Sequence, residues 1–328
     1  ARRMGYSLMG AGMHGLNGLN PTVSTSMINT FIIPALMYGL ETLRLSPNDY
    51  RDLSQFHQNL LRNILHLPAS TAIPALYILT GSLPSEAMHH KNILTFFGSC
   101  IRRDGATERE VIIRQLSMKD MESSSWVILV RELLYKYQLP SAFHLIENPP
   151  SKQKWKKMVM SAIHNYWLAK IRRDAREKST LIYLNTEDFT VGRVHQIYRF
   201  AENPYEIMQA TTKARMLVQR YGVSSSYTAG NKKSDTCPMC RADRETLTHM
   251  LLRCKDLDNT RSGRICTLTE SLKSFGVNTA NEEEMVQALL DCSAFEQIPE
   301  DVKKMLEKLS RSLCHALHVD RSHRLMTN

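Results

Sequence analysis

Residues 154–167 read KWKKMVMSAIHNYW. Trp155, Met158, Val159, Ala162, Ile163 and Tyr166 fall at i, i+3, i+4, i+7, i+8 and i+11, which puts six apolar side chains on one helix face. The same period recurs on both sides. Upstream, Ser46 and Pro47 supply an N-cap and a proline at the first helical position. Leu53, Phe56, Leu60, Leu61 and Ile64 then keep helical spacing until Pro68 stops the run. Further helices are predicted from Pro84 to around Arg103, from Ser125 to Tyr137, and over Arg3 to Met9. Downstream, Ile207, Ala210, Ala214, Leu217, Val218 and Tyr221 form another stripe, and helical patterns follow near 258–274, 281–292 and 299–318. Leu181–Leu184 is the only good strand-like run. The predicted class is mostly α, and the 17 methionines suit irregular helical packing.

A chain of 328 residues, 43% of them hydrophobic, is long and apolar enough for about two domains with packed cores. Pro140, Pro149 and Pro150 mark the predicted boundary, and Ser224 to Asp235 reads as a Ser/Gly/Lys-rich loop. The net charge of +10 favours a polyanionic partner, nucleic acid first and anionic membrane second. The longest apolar stretch, Phe31 to Leu40, is too short to span a bilayer and contains Pro34 and Gly39. No targeting segment is legible, and seven cysteines make an odd number. These features point away from a disulfide framework and a membrane partner, and toward a reducing intracellular compartment, nucleus or cytoplasm. A sequence that starts at Ala1 instead of Met reads as a processed product or a fragment.

Cys237-Pro-Met-Cys240 is followed by His249 after eight residues and Cys254 after four more. A two-residue gap turns both thiolates onto one cation, and His249 and Cys254 close a tetrahedron. Four protein ligands leave no open position, so the expected ion is structural Zn2+, with donor atoms converging to within about 4 Å. Cys100, Cys266, Cys292 and Cys314 lack such partners and read as small buried residues.

Positive charge gathers near this motif. From Ser151 to Lys178 nine Lys and Arg face only Asp174 and Glu177, a local charge of +7. Lys154, Lys157, Lys170 and Arg173 on this stretch are candidate phosphate contacts. So are Lys213, Arg215 and Arg220 on the helix ending near Tyr221, and Lys232, Lys233 and Arg241 beside the cysteines. Lys213 and Arg220, seven apart, are predicted to share an edge that the metal site turns toward one groove. Trp155, Tyr166, Trp167 and Tyr227 are interleaved aromatics able to stack bases. The competing reading is a solvated face with those aromatics in the core.

Other motifs point away from catalysis. Gly10-Ala-Gly12-Met-His-Gly15 matches the dinucleotide-binding glycine pattern, but that chemistry needs a strand before and a helix start after. Here a helix precedes it, and Gly18 and Pro21 follow, so a flexible loop is the expectation. No nucleophile elbow, no Gly-Lys-Ser/Thr phosphate loop and no paired-aspartate polymerase motif occurs. His89 and His90 are adjacent and are expected at the surface or half-buried. Glu282, Glu283 and Glu284 read as the acidic first turn of a helix.

Two stretches resemble the reverse transcriptases of LINE-type (non-LTR) retrotransposons. Residues 1 to about 105 are similar to the region after the palm, through Met9-Gly10, Gly12-Met-His-Gly15, Asn20-Pro21, Pro34-Ala-Leu-Met-Tyr38-Gly39-Leu-Glu41-Thr42, Leu60-Leu61-Arg62-Asn63-Ile64 and Leu83-Pro84-Ser-Glu86-Ala87. Residues 213 to 254 resemble the zinc-binding tail, through Lys213-Ala-Arg215-Met-Leu217, the Cys237 to Cys254 ligands, Glu245-Thr246 and His249-Met-Leu-Leu252. The resemblance implies a thumb-like helical domain over 1–105 that grips a template–primer duplex. A helical connector over 106–150, a basic nucleic-acid-binding segment over 151–230, a CCHC knuckle over 231–257 and C-terminal helices over 258–328 would follow. It also implies RNA or DNA as partner and a catalytic palm upstream, outside this chain. The rival expectation is a host zinc-binding helical protein that docks protein partners.

Overall fold

The computed structural model describes residues 1–15, 18–224 and 235–327. The fold is mostly helical, with 68% helix and 1% strand. Among the described residues there is no sheet, only an isolated antiparallel bridge between Thr236 and Arg244. The chain divides into two compact units, neither contiguous in sequence. The first holds residues 1–5, 27–60 and 82–171, and the second 6–26, 61–81 and 172–328. Neither coincides with the five segments set out above. The Pro140 to Pro150 stretch is no boundary, because the first unit runs straight through it with a helix at Ala142–Glu147.

In the first unit the local signals work as read. The Pro47–Leu65 helix starts with a reciprocal cap, in which the Asp49 amide donates to Ser46 Oγ and the Ser46 amide to the Asp49 carboxylate. Ser125 caps Trp126–Lys136 by accepting from the Ile128 amide. The Lys152–Arg176 helix buries Trp155, Val159, Ile163, Trp167, Ile171 and Ala175, a strict i+4 series. Trp167 thus takes the buried place expected for Tyr166. Trp155 lies against Gly98 on the Ser85–Ile101 helix, where a Cβ would fall 2.1 Å from the indole nitrogen. That nitrogen donates to the Leu94 carbonyl at 2.8 Å. Only glycine permits this approach.

His89 and His90 are both buried, contrary to expectation. The reason is pairing. His89 donates from Nε2 to the Leu40 carbonyl and bonds the Tyr50 hydroxyl through Nδ1, while His90 Nδ1 bonds the Tyr137 hydroxyl. Trp167 donates to that same hydroxyl. Burial, reinforced by Lys136 and His89, lowers His90 to about 3, so it stays neutral.

In the second unit Asn203 caps Pro204–Leu217, and this helix packs on Glu300–Thr327. The predicted stripe overshoots, since the chain leaves the helix at Val218 and Gln219 turns to φ 49°. Leu181–Leu184 is no strand: Leu181 ends the 3-10 turn Ser179–Leu181, and 182–184 follow as turn and bend. A helix does begin at Pro21, where none was expected. The helices Asp258–Ser274, Glu282–Leu290 and Glu300–Thr327 match their patterns, the last extending further. Asn281 caps the acidic first turn of Glu282–Leu290 by accepting from the Glu283 and Glu284 amides.

Candidate metal centre

Cys237, Cys240, His249 and Cys254 form a cluster that could hold a metal ion, with donor atoms all within 4.8 Å of one another. Two pairs are closer. Cys237 Sγ lies 3.8 Å from Cys254 Sγ, and Cys240 Sγ lies 3.4 Å from His249 Nε2. A tetrahedron with metal–sulfur bonds of about 2.3 Å requires sulfurs about 3.8 Å apart, so the donors fit one small cation. The expected convergence to 4 Å holds for these two pairs but not for the whole set.

Local structure explains the convergence. The Thr236–Arg244 bridge closes a tight loop, in which the Cys237 amide donates to the Asp243 carbonyl and the Arg241 amide to the Cys237 carbonyl. Arg241 takes φ 53° to complete the turn. His249–Arg253 winds as one π-turn, and the Cys254 amide donates to the His249 carbonyl at 2.8 Å. This wide turn brings His249 and Cys254 to one side. Thr246 Oγ1 accepts from the His249 amide. The other imidazole nitrogen, Nδ1, lies 3.8 Å from the exposed Asp243 carboxylate.

Backbone amides face the sulfurs. Burial raises the Cys237 thiol to about 12 against the opposing pull of the Cys240 and Met239 amides. Burial likewise raises Cys254. Burial acts the same way on Cys240, but amides of Ala242 and Asp243 outweigh it and lower the thiol. A cation would draw all three into the thiolate form with release of protons.

Two supports of the site were not legible. Arg321, on the C-terminal helix, grips Glu245 in a two-pronged ion pair at 2.7 and 2.9 Å. Glu245 also accepts from the Ser224 amide and hydroxyl. Arg261 donates to the carbonyls of Met250, Leu252 and Cys254, covering the π-turn. Glu245 belonged to the motif, but nothing in the sequence marked Arg261 or Arg321, which pair through tertiary packing.

The candidate nucleic-acid residues do not form one set. Lys154, Lys157 and Arg173 are exposed, and Lys170 is half-buried with its ammonium 5.0 Å from the Trp167 ring centre. Lys213 is 0% exposed, paired to Glu307 at 2.7 Å and bonded to Ser310 at 2.7 Å. It cannot reach phosphate, which corrects the expectation that Lys213 and Arg220 face one groove. Arg215 donates to the His66 carbonyl from Nε and Nη2, and Arg220 donates to the Ser70 carbonyl. Arg241 is exposed. Lys232, Lys233 and Tyr227 lie outside the described residues. Trp155 and Trp167 are core residues, so they offer no face for stacking, while Tyr166 is 37% exposed. Of the other cysteines, Cys100, Cys292 and Cys314 are buried as expected and Cys266 is exposed.

No helix among the described residues is long and apolar enough to cross a membrane. Comparison with protein-family models, with curated proteins and with solved structures returns no match.

Proposed function

We propose that this chain is the nucleic-acid-binding C-terminal part of a LINE-type reverse transcriptase, carrying a structural Zn2+ and no catalytic centre of its own. The convergence of Cys237, Cys240, His249 and Cys254 carries the reading. Three sulfurs and one imidazole are a soft, closed donor set, which favours zinc over harder cations and leaves no site for a reactive water. The resemblance of residues 1 to about 105 and 213 to 254 to that family adds the thumb-like role. The exposed cations Lys154, Lys157 and Arg173 supply charge for phosphate. The palm with its paired aspartates would belong to the upstream part of a parent protein, acting in nucleus or cytoplasm.

The rival, a zinc-binding helical protein that docks other proteins, gains from one observation: Lys213, Trp155 and Trp167 are core residues. Titration of the purified chain with RNA–DNA hybrid at several salt concentrations separates the two. The proposal expects affinity to fall steeply with salt, because phosphate contacts release counterions. Affinity that is absent at low salt would end it.

A further inference from the structure

In the first unit a pocket of about 690 Å³ opens between the Lys152–Arg176 helix and the turn that ends the Trp126–Lys136 helix. Lys157, Ser161 and Asn165 line it at i, i+4 and i+8, one ladder along the helix. Gln138 lines it from the turn, and Tyr166 adds an aromatic ring. Leu139, Pro140 and Met158 add apolar wall, and no carboxylate lines it. The side chains of Gln138, Lys157, Ser161 and Asn165 are exposed and make no hydrogen bond or ion pair among the described residues. Lys136, which also lines the pocket, differs. It pairs with Glu86 at 2.9 Å, and its ammonium lies 5.2 to 5.7 Å from the ring centres of Tyr137, Tyr166 and Trp167. Its charge is answered within the fold, which leaves Lys157 as the free cation of the pocket among the described residues.

The turn is strained at the residue that faces this space. The Leu139 amide donates to the Leu134 carbonyl at 2.9 Å and the Gln138 amide to the Tyr135 carbonyl at 3.0 Å, a helix closure that puts Gln138 at φ 52°. Glycine takes this conformation freely, whereas a Cβ crowds the following carbonyl. The glutamine amide returns no bond to the described part of the fold that would offset the strain. Solvation accounts for an exposed polar group taken singly. It does not account for an amide held at a strained position over a pocket where three further polar groups converge without partners. Strain of this kind collects at binding sites.

We propose that this pocket holds one nucleotide of a single strand, with Lys157 and Ser161 on the phosphate, the Gln138 and Asn165 amides on the base edge and Tyr166 against the base. A primary amide offers a donor and an acceptor side by side, the pattern that base edges present. Aromatic rings stack on bases of any sequence. One free ammonium suits a phosphodiester, which carries a single negative charge per nucleotide, better than a triphosphate. The volume falls in the range of small-ligand sites. The proposal rests on the nucleic-acid reading above and narrows it to an unpaired stretch, since bases in a duplex stay stacked and out of reach.

The test titrates the full chain into a fluorescent oligodeoxyadenylate and into an abasic strand of the same length and charge, read by anisotropy. The base-bearing strand should bind about tenfold more tightly, the size of one stacked and recognised base. Gln138→Gly and Asn165→Ala should each weaken it about fivefold, as loss of one neutral hydrogen bond does, and leave the salt slope unchanged. Lys157→Ala should instead flatten that slope by about 0.7, one phosphate contact on a single strand. Gln138→Gly also controls for folding, because glycine relieves the strained turn. Weaker binding together with an equal or higher thermal midpoint marks a lost contact and supports the proposal. Equal affinity for the two strands overturns it, as does unchanged affinity in both amide variants, while the nucleic-acid reading survives either result. Absence of affinity for every strand ends both. Deoxyadenosine monophosphate forms the last arm. Displacement of the strand only at far higher monophosphate concentration supports the strand as occupant, and displacement at equal concentration overturns it in favour of a free nucleotide.

Discussion

The loop from Cys237 to Cys254 and the helix from Pro204 to Leu217 both carry residues singled out for their chemistry, and the structure treats them oppositely. The loop brings its four donors together, as their spacing requires. The helix sends Lys213 into the core and ties Arg215 to a backbone carbonyl. Ligand convergence over eighteen residues is set by local turns. Exposure of a lysine is set by what packs on its helix. A motif of ligands is therefore readable where a motif of surface charges is not.

Metal removal is the strongest way to break this contrast. Structural zinc sites in finger peptides are worth about 10 kcal/mol or more at neutral pH. Chelation should abolish hydrogen-exchange protection over residues 237–254 and lower the thermal midpoint. Native protein should hold one zinc per chain by elemental analysis, and Cys254→Ser should lose it. Full protection of that loop after complete metal removal would make the cluster a packed thiol group instead.

Next in size is Lys213. Replacing it with Met leaves Glu307, also 0% exposed, as an uncompensated buried charge. Breaking such a pair costs about 3–5 kcal/mol. Denaturant unfolding should show that loss for Lys213→Met and a change within about 0.5 kcal/mol for exposed Lys157→Ala. The double variant Lys213→Met, Glu307→Leu should recover much of it. Equal stability of the two single variants would return Lys213 to the surface.

The salt slope sharpens the same distinction at the level of binding. Replacing Lys154, Lys157 and Arg173 with Ala should flatten log affinity against log salt by about 0.9 per lost contact on a duplex. Their exposure permits such contacts. A fluorescence titration in which the triple variant keeps the parental slope would remove them from the binding surface.

The smallest effect concerns another buried charge, the His195–Asp291 pair at 3.3 Å. Burial lowers the His195 pKa, but Asp291 outweighs it and the net direction is up. Burial raises Asp291, but His195 and further hydrogen bonds from Asn185 and Ser293 bring it down. His195 thus contributes stability that is complete below its unfolded value of about 6.5 and is lost as pH rises through the raised folded value. Asp291 contributes above about 3.9, and that share is lost as pH falls through its lowered folded value. Unfolding midpoints should therefore decline less between pH 6 and 9 in His195→Gln than in the parent. Parallel profiles would show that the ring does not titrate with folding.

Helix positions were largely legible because capping and period are local. Ser46 with Pro47, Ser125, and Glu282–Glu284 each announced a helix start that the structure contains. The Trp155 stripe was nearly right, but Trp167 and not Tyr166 joined the seam, because neighbouring helices choose which edge of a stripe is covered. Leu181–Leu184 failed as a strand since no partner strand exists among the described residues to pair with it. His89 and His90 looked solvated because adjacency says nothing about Tyr50, Tyr137 and the Leu40 carbonyl, which satisfy them in the core.

By itself, the amino-acid sequence determined the helical class and the four donors Cys237, Cys240, His249 and Cys254. Both depend on spacings shorter than a few turns, where backbone geometry leaves few alternatives. The tertiary structure alone decided that the compact units interleave along the chain. It alone decided that Lys213 neutralises Glu307 and that Arg321 braces Glu245 beside the cluster. These partners lie 94 and 76 residues apart. No local pattern encodes such a meeting, because burying one charge becomes tolerable only when packing delivers the other.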